Sequence, residues 1–274
     1  MENSELSTTQ IFELALNEKD DDKRWEYIVV LHLRPTREVF EMAKSLCKST
    51  DSEKICLGAD VLAQLGTVDL PFKKETIPIL MKLADSKLKF SNNEKDSDAL
   101  QSVIIALSRM DEIECFKKIT EFKNHSSNYV RDSVAFGISI VDEDFTIKAL
   151  IELSDDVDED VRNWATFGLG QSERDSREIR DAFMKRLGEK IGDEVCDEIR
   201  GEALVGLAIR KDPRVIEPLI EELSSKSVGK LAVEAASEIG DSRLCDVLLK
   251  LQEWWNIDED LLKEAIKNCC LNQE

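Results

Sequence analysis

The amino-acid sequence is poor in the residues that interrupt helices and in those that favour sheets. Its 274 residues include 11 Gly, 5 Pro, 4 Trp, 2 Tyr and 10 Phe. This composition favours helices over strands, which are rich in aromatic and β-branched residues. No apolar run reaches the roughly 18 residues of a transmembrane helix, and the acidic N-terminus lacks the apolar segment of a signal peptide. We therefore expect a soluble, cytoplasmic protein that has no membrane partner.

Motifs of metal sites and of common enzymes are also lacking. The seven cysteines form no C-x-x-C pair, and His32 and His125 lie far in sequence from any cysteine cluster, so no metal site is predicted. There is no G-x-S-x-G motif and no phosphate-binding glycine loop, so we favour a protein that is not an enzyme and has no cofactor. Scattered thiols in odd number are typical of a reducing cytoplasm. Adjacent Cys269 and Cys270 are interpreted as part of a helix end.

Negative charge is in large excess. The chain has 57 acidic and 37 basic residues, for a formal charge of −20. Such a chain repels nucleic acid and anionic lipid, and it attracts basic partners. The charge therefore predicts a basic protein partner and no nucleic acid.

A short pattern occurs three times in the middle of the chain. The copies read VRDSVAFGI from Val130, VRNWATFGL from Val161 and IRGEALVGL from Ile199. Their starting points lie 31 and 38 residues apart, a period that is typical of a stacked array of small helical units. The matching residues are the arginines Arg131, Arg162 and Arg200 and the glycines Gly137, Gly168 and Gly206.

Helical periodicity divides the chain into pairs of helices joined by polar or acidic turns. The fold class that we predict is all-α, an α-solenoid of about seven or eight antiparallel helix pairs. Residues 1–274 form a single solenoid in this interpretation, with a capping pair at 7–35, repeats over 36–240 and a second capping pair at 242–274. The pairs after the first lie at about 36–66, 74–110, 114–141, 145–171, 177–210, 213–240 and 242–270.

The best copy of the pattern reads DEDVRNWATFGLG, an acidic turn followed by V-R-x-x-A-x-x-G-L-G. This resembles HEAT-repeat proteins, particularly the short-period bacterial type found in relatives of phycobilisome lyases. The resemblance implies that each second helix lines a concave face. It does not fix a function, because the fold serves scaffolds, inhibitors, chromophore lyases and a class of DNA glycosylases. The charge of −20 argues against a DNA glycosylase, which needs a basic groove.

Two charged features have a structural and a functional interpretation. Arg131, Arg162 and Arg200 are expected to form a structural ladder by pairing with turn carboxylates, such as Asp156 or Asp158 for Arg162; ligand contact is the alternative. The segment 142–160 carries nine acids and one base, which are interpreted either as helix caps on a solvated face or as a field that steers a basic partner. The acids assigned to steering are Asp155, Asp156, Asp158 and Glu159.

The positions at which the three copies differ are the candidates for partner contact. Ser133, Trp164 and Glu202 occupy one such position, and helical spacing places Trp164 beside Phe167 on one face. We predict an aromatic stripe edged by acids, of the kind that is enriched in protein interfaces; the alternative is that Trp164 and Phe167 fill gaps between repeats. The predicted partner-binding residues are Tyr129, Phe136, Asp160, Trp164, Phe167, Gln171, Glu198, Glu202 and Val205.

The function that these observations favour is that of a non-catalytic, protein-binding solenoid in the cytoplasm of a bacterium or phage. An acidic inhibitor or immunity-type protein that masks a basic partner, such as a toxin nuclease, fits the charge and the stripe. The alternatives are a chromophore-lyase-like enzyme of the phycobilin type and an assembly scaffold with several partners.

Overall fold

The computed structural model describes residues 6–90, 93–190 and 194–271, and in these ranges every regular element is helical. The sixteen α-helices described are α1 Thr8–Asn17, α2 Asp21–His32, α3 Arg37–Leu46, α4 Ser52–Ala63, α5 Lys73–Ala84, α6 Glu94–Arg109, α7 Ile113–Thr120, α8 Asn128–Ile138, α9 Asp144–Leu153, α10 Glu159–Gln171, α11 Arg177–Arg186, α12 Glu194–Ile209, α13 Ile216–Leu223, α14 Lys230–Ile239, α15 Cys245–Leu251 and α16 Glu259–Ile266.

The helices associate in consecutive pairs, α1 with α2 through α15 with α16. The described residues thus hold eight pairs, and the predicted all-α solenoid of HEAT-like pairs is confirmed. The chain divides into two compact units, Met1–Ile138 and Ser139–Glu274. The prediction of one solenoid domain with two capping pairs stays a prediction.

In the first unit, the second helix of each pair packs on the second helix of the next. Contacts run from α2 to α4, from α4 to α6 and from α6 to α8, while α5 packs on α7 in the other layer. Helices α4 and α6 supply the centre of this core. Leu57 and Leu62 of α4 are buried there together with Leu100 and Ile104 of α6. The unit is therefore two layers of helices around a continuous apolar core.

The second unit repeats this arrangement. Helices α10, α12, α14 and α16 pack in sequence, and α9 packs on α11 and α13 on α15. Acids and hydroxyls begin the helices, since the side chain of Asp158 accepts from the Val161 amide and that of Ser176 from the Ile179 amide. These caps satisfy amide groups that the first turn of a helix leaves unpaired.

Close packing explains two of the repeated glycines. A Cβ on Gly168 would lie 2.8 Å from Cα of Ser139, and a Cβ on Gly206 would lie 2.5 Å from Cζ of Phe183. Phe183 is fully buried, so the ring has little space to move away. Position 206 therefore has no room for a Cβ, and glycine there allows α12 to pack closely on α11.

We expect Gly206→Ala to lower the free energy of unfolding by about 1–2 kcal/mol, because it overpacks a filled core. Urea denaturation followed by circular dichroism measures the change. Gly229→Ala is the control, since a Cβ there meets nothing within 4 Å. Equal losses in the two variants would contradict the packing explanation.

A buried arginine that the sequence reasoning missed joins the ends of two helices in the second unit. Arg210 donates from Nη1 to the Gly206 carbonyl at 2.9 Å and from Nη2 to the carbonyls of Leu169 and Ser172 at 3.0 and 2.7 Å. Its Nε donates to the Arg174 carbonyl at 3.1 Å. One guanidinium therefore satisfies terminal carbonyls of both α10 and α12, at the negative ends of their dipoles.

The structure describes the side chains of six cysteines, four of them free and two joined in a disulfide. Cys47, Cys56, Cys115 and Cys269 are buried and free, and they act as small apolar residues. Cys270, however, forms a disulfide with Cys245 across a Cα–Cα distance of 5.2 Å. Cys269 and Cys270 both lie in the helical segment Lys267–Leu271, as interpreted from the sequence, and the fold places this segment next to the start of α15.

Candidate functional site

The aromatic pair Trp164 and Phe167 lies on α10 in the second unit. The two rings meet edge to face, with their centroids 5.8 Å apart and an interplanar angle of 89°. Both side chains are half-buried, so each keeps part of its surface in solvent. A partly exposed aromatic pair of this kind is able to pack against a partner as well as against its own helix.

Two glutamates of the neighbouring second helix contact α10 on either side of this aromatic pair. Asn163 of α10 donates from Nδ2 to Oε2 of Glu198 at 3.0 Å, and a Cβ on Gly170 would lie 3.5 Å from Oε2 of Glu202. Asn163 and Gly170 flank the two aromatic residues along α10, so Glu198 and Glu202 contact this helix just before and just after the pair. Glu234 of α14 extends this acidic row.

The environment of Glu202 favours a cation. Its pKa is raised, first by burial and then by the negative charges of Glu198 and Glu234. A positive group placed among the three carboxylates would offset both effects. We call Trp164, Phe167, Glu198, Glu202 and Glu234 the Trp164 face.

Other predicted contact residues are placed differently. Val205 is only 8% exposed and lies in the core, whereas its predicted role as a partner contact needs an exposed side chain. Asp160 and Gln171 are exposed near the two ends of α10. Tyr129 and Phe136 lie on α8 of the first unit, where Tyr129 is exposed and the guanidinium of Arg109 lies 5.8 Å from the Phe136 ring.

The three repeated arginines bind backbone carbonyls. Arg131 donates from Nη1 to the carbonyls of His125 and Ser126, which lie six and five residues before it. Arg162 does the same with Asp156 and Val157, at 3.0 and 3.2 Å. Arg200 donates to the Leu187 carbonyl.

Two of these arginines also join neighbouring repeats. Nε and Nη2 of Arg162 form a bidentate pair with the Glu189 carboxylate at 2.9 and 2.8 Å. Nη2 of Arg200 bonds Oε2 of Glu222 at 2.9 Å. Each guanidinium thus donates both to the turn that precedes its own helix and to a carboxylate further along the chain. These contacts give the two arginines a structural role.

The acids assigned to steering are largely engaged within the protein. Asp155 pairs with Lys185 and Arg186, the Asp156 carboxylate accepts from the Asp158 amide at 2.9 Å, and Asp158 caps α10. Glu159 is exposed in the first turn of that helix. The same acidic segment is further neutralised where Arg174 binds Asp142 and Asp144, so its field is weaker than its composition indicates.

The first unit contains a polar cleft that the sequence reasoning missed. Its volume is about 570 Å³, and α1, α2, α4 and α6 line it. We call it the Asp60 cleft, and its charged residues on α2, α4 and α6 include Arg24, Glu53, Asp60, Glu94, Lys95 and Asp98. A sequence signal was present, since Asp60 interrupts the apolar segment CLGADVLAQLG.

Neither surface offers a metal site. Across residues 6–90, 93–190 and 194–271 no group of three or more His, Cys, Asp or Glu side chains is arranged to hold a metal ion. Within the same ranges, no helix has the length and apolar character needed to cross a bilayer.

Comparison with known proteins identifies relatives over nearly the whole chain. Protein YibA of Escherichia coli K12 is 31% identical over 255 residues, which cover 89% of this chain and 84% of YibA. The X-ray structure of E. coli YibA matches 96% of this chain and 92% of its own, with a TM-score of 0.79 and 28% identity.

A more distant structure supports the fold alone. The archaeal HEAT-like repeats protein of Thermococcus onnurineus NA1 is 13% identical, with a TM-score of 0.54 over 96% of this chain and 100% of its own. No family model matches this sequence. From the identity and coverage shared with YibA, we conclude that the chain belongs to the same family as protein YibA and has a HEAT-like helical repeat fold.

Proposed function

We propose that this chain is a non-catalytic protein-binding repeat protein, and that the Trp164 face binds a basic partner. The observation that carries the proposal is the placement of a half-buried aromatic pair beside Glu198 and Glu202, on adjacent second helices. A lysine or arginine there would lie against an aromatic ring and pair with a carboxylate. Repeat arrays commonly bind proteins through such extended helical surfaces.

The overall charge supports a masking role. A chain of charge −20 attracts a basic protein over long range and repels nucleic acid. An acidic inhibitor or immunity-type protein of a bacterial cytoplasm uses both effects. Its carboxylates cover the basic surface with which the partner would otherwise bind a nucleic acid. The Cys245–Cys270 disulfide is unusual for that compartment.

The other assignments from sequence stay predictions. The short-period subtype related to phycobilisome lyases, the chromophore-lyase activity and the multi-partner scaffold each need a separate test. Absorbance after mixing with a bilin tests the lyase activity, and the composition of a native complex tests the scaffold.

Capture of a partner on the immobilised chain, followed by binding measurements with the purified partner, tests the masking proposal. We expect the immobilised chain to retain a basic protein, and expect Trp164→Ala and Glu202→Gln each to weaken its binding by about 30-fold, the loss that defines an interface hot spot. Calorimetry with the purified partner measures this change. Glu264→Gln is the control, because it removes one exposed carboxylate from α16.

Two results would contradict this function. The first is a partner with no basic surface. The second is a Trp164→Ala variant that loses stability while its affinity stays unchanged, which would identify the aromatic pair as packing between repeats.

A further inference from the structure

The Asp60 cleft has the size of a small-molecule site. Its volume of about 570 Å³ lies within the range of roughly 300–1,000 Å³ that is typical of ligand pockets. Helices α2, α4 and α6 supply its walls and the end of α1 closes one side. All of these elements belong to the first unit, so the cleft is separate from the Trp164 face.

The cleft contains a largely buried carboxylate with a loosely held partner. Asp60 is 20% exposed and Arg24 is 28% exposed, and their nearest oxygen and nitrogen atoms are 3.9 Å apart. This distance exceeds that of a charge-assisted hydrogen bond, roughly 2.7–2.9 Å. The Ser102 hydroxyl donates to the Asp60 carboxylate, but the arginine on the facing helix does not approach it closely.

Carboxylates predominate around this pair. The side chains lining the cleft include six acids and three bases, and one base, Lys95, is paired with Glu53 at 2.8 Å. Glu94 and Asp98 lie one turn apart on α6, and the pKa of Asp98 is raised by burial and then by the charge of Glu94. The lining therefore favours a ligand of positive charge.

We propose that the Asp60 cleft binds an ammonium or guanidinium group carried on a flexible alkyl chain, and that this group replaces Arg24 as the ion-pair partner of Asp60. Arg24 is fixed to α2, whereas a cation on a mobile chain is free to reach hydrogen-bond distance. The alkyl chain lies along the cleft, between Glu53 at one helix start and Glu94 and Asp98 on the facing helix.

Such a cation has two sources, a free polyamine or a lysine or arginine side chain of a protein. We would titrate the full chain at low salt with spermidine and, separately, with a blocked peptide that contains two arginines, using calorimetry. Binding of either one supports the site, and the tighter of the two identifies the source.

Three variants separate this site from general charge attraction. We expect Asp60→Asn to weaken binding by about tenfold or more, the effect of losing a charged hydrogen-bond partner. Arg24→Gln is expected to strengthen binding several-fold, because it removes the competing cation. Glu26→Gln, which removes an exposed charge elsewhere on α2, is expected to leave affinity unchanged.

Loss of general charge attraction would not produce opposite changes in affinity for Arg24→Gln and Asp60→Asn, so the two variants together test the site itself. It is overturned if neither cation binds, if Glu26→Gln weakens binding as much as Asp60→Asn, or if Arg24→Gln weakens it. Failure here would leave the Trp164 face unaffected, since its residues lie on α10, α12 and α14.

Discussion

Replacing Arg210 with methionine is expected to lower the free energy of unfolding by about 3–5 kcal/mol, because each buried carbonyl left without a donor costs about 1–3 kcal/mol and the release of a buried charge offsets part of the sum. Four carbonyl groups accept from this guanidinium, and the side chain is only 8% exposed. The Arg210 guanidinium lies 5.1 Å from the centroid of the Phe183 ring; methionine also packs against that ring but has no donor. The carbonyls would then be buried without partners.

Urea denaturation, followed by circular dichroism, measures the loss. Arg210→Lys is expected to fall between the wild type and Arg210→Met, because an ammonium group cannot span carbonyls on both helix ends. Arg243→Met is the control: Arg243 pairs with Asp241, two residues before it in the same turn, but its side chain is 54% exposed and little change is expected. Similar losses for Arg210→Met and Arg243→Met would refute the special role of Arg210.

The second large effect concerns Asp60, whose replacement by asparagine is expected to stabilise the protein at neutral pH. Burial raises the pKa of Asp60 from 3.8 to about 6, against the smaller opposing effects of Ser102 and Arg24. A difference of this size corresponds to about 3 kcal/mol, and the partial exposure of the carboxylate reduces it to about 2 kcal/mol. Asparagine keeps the shape and carries no charge to bury.

The sign follows from proton binding. Between about pH 4 and pH 6 the unfolded chain has released the Asp60 proton while the folded chain still holds it, so the contribution of Asp60 to stability falls as pH rises through this window. Above pH 6 the folded chain also carries an ionised Asp60, and the full loss of stability from burying this charge remains. Asp60→Asn should therefore gain most near pH 7.5 and nearly nothing near pH 4.

Urea midpoints of the wild type and of Asp60→Asn, measured from pH 4 to pH 8, test this expectation. Glu26→Gln serves as the control for loss of one carboxylate from a helix surface. A gain for Asp60→Asn that does not depend on pH would show that ionisation of Asp60 is not the cause. Carboxylates with perturbed pKa values are common at functional sites, and this one lies in the cleft proposed to bind a cation.

The repeated pattern was sufficient to predict the helix pairs because the signals of a solenoid are local. Apolar residues at helical spacing, an acidic cap such as Asp158 and a following turn all lie within one repeat. The contact between Trp164 and Phe167 also depends only on a spacing of three residues. Such features need no knowledge of distant parts of the chain.

The roles of single residues around that framework depended on neighbours from other repeats. Asp155 lies in an acidic segment and looks available for steering, yet Arg186 of the next pair neutralises it. Val205 follows Glu202 on the same helix but is buried. Charge and burial at a given position are set by the helix packed against it, which a local pattern does not contain.

The sequence by itself thus determined the fold class, the succession of helix pairs and the acidic character of the protein. Only the tertiary structure decided which carboxylates remain near open surface, where Arg210 finds its four carbonyls, and that Cys245 meets Cys270. The Asp60 cleft belongs to this second group, because its lining comes from four helices. Helix formation is a property of neighbouring residues, whereas a cleft depends on the distances between helices, which packing sets.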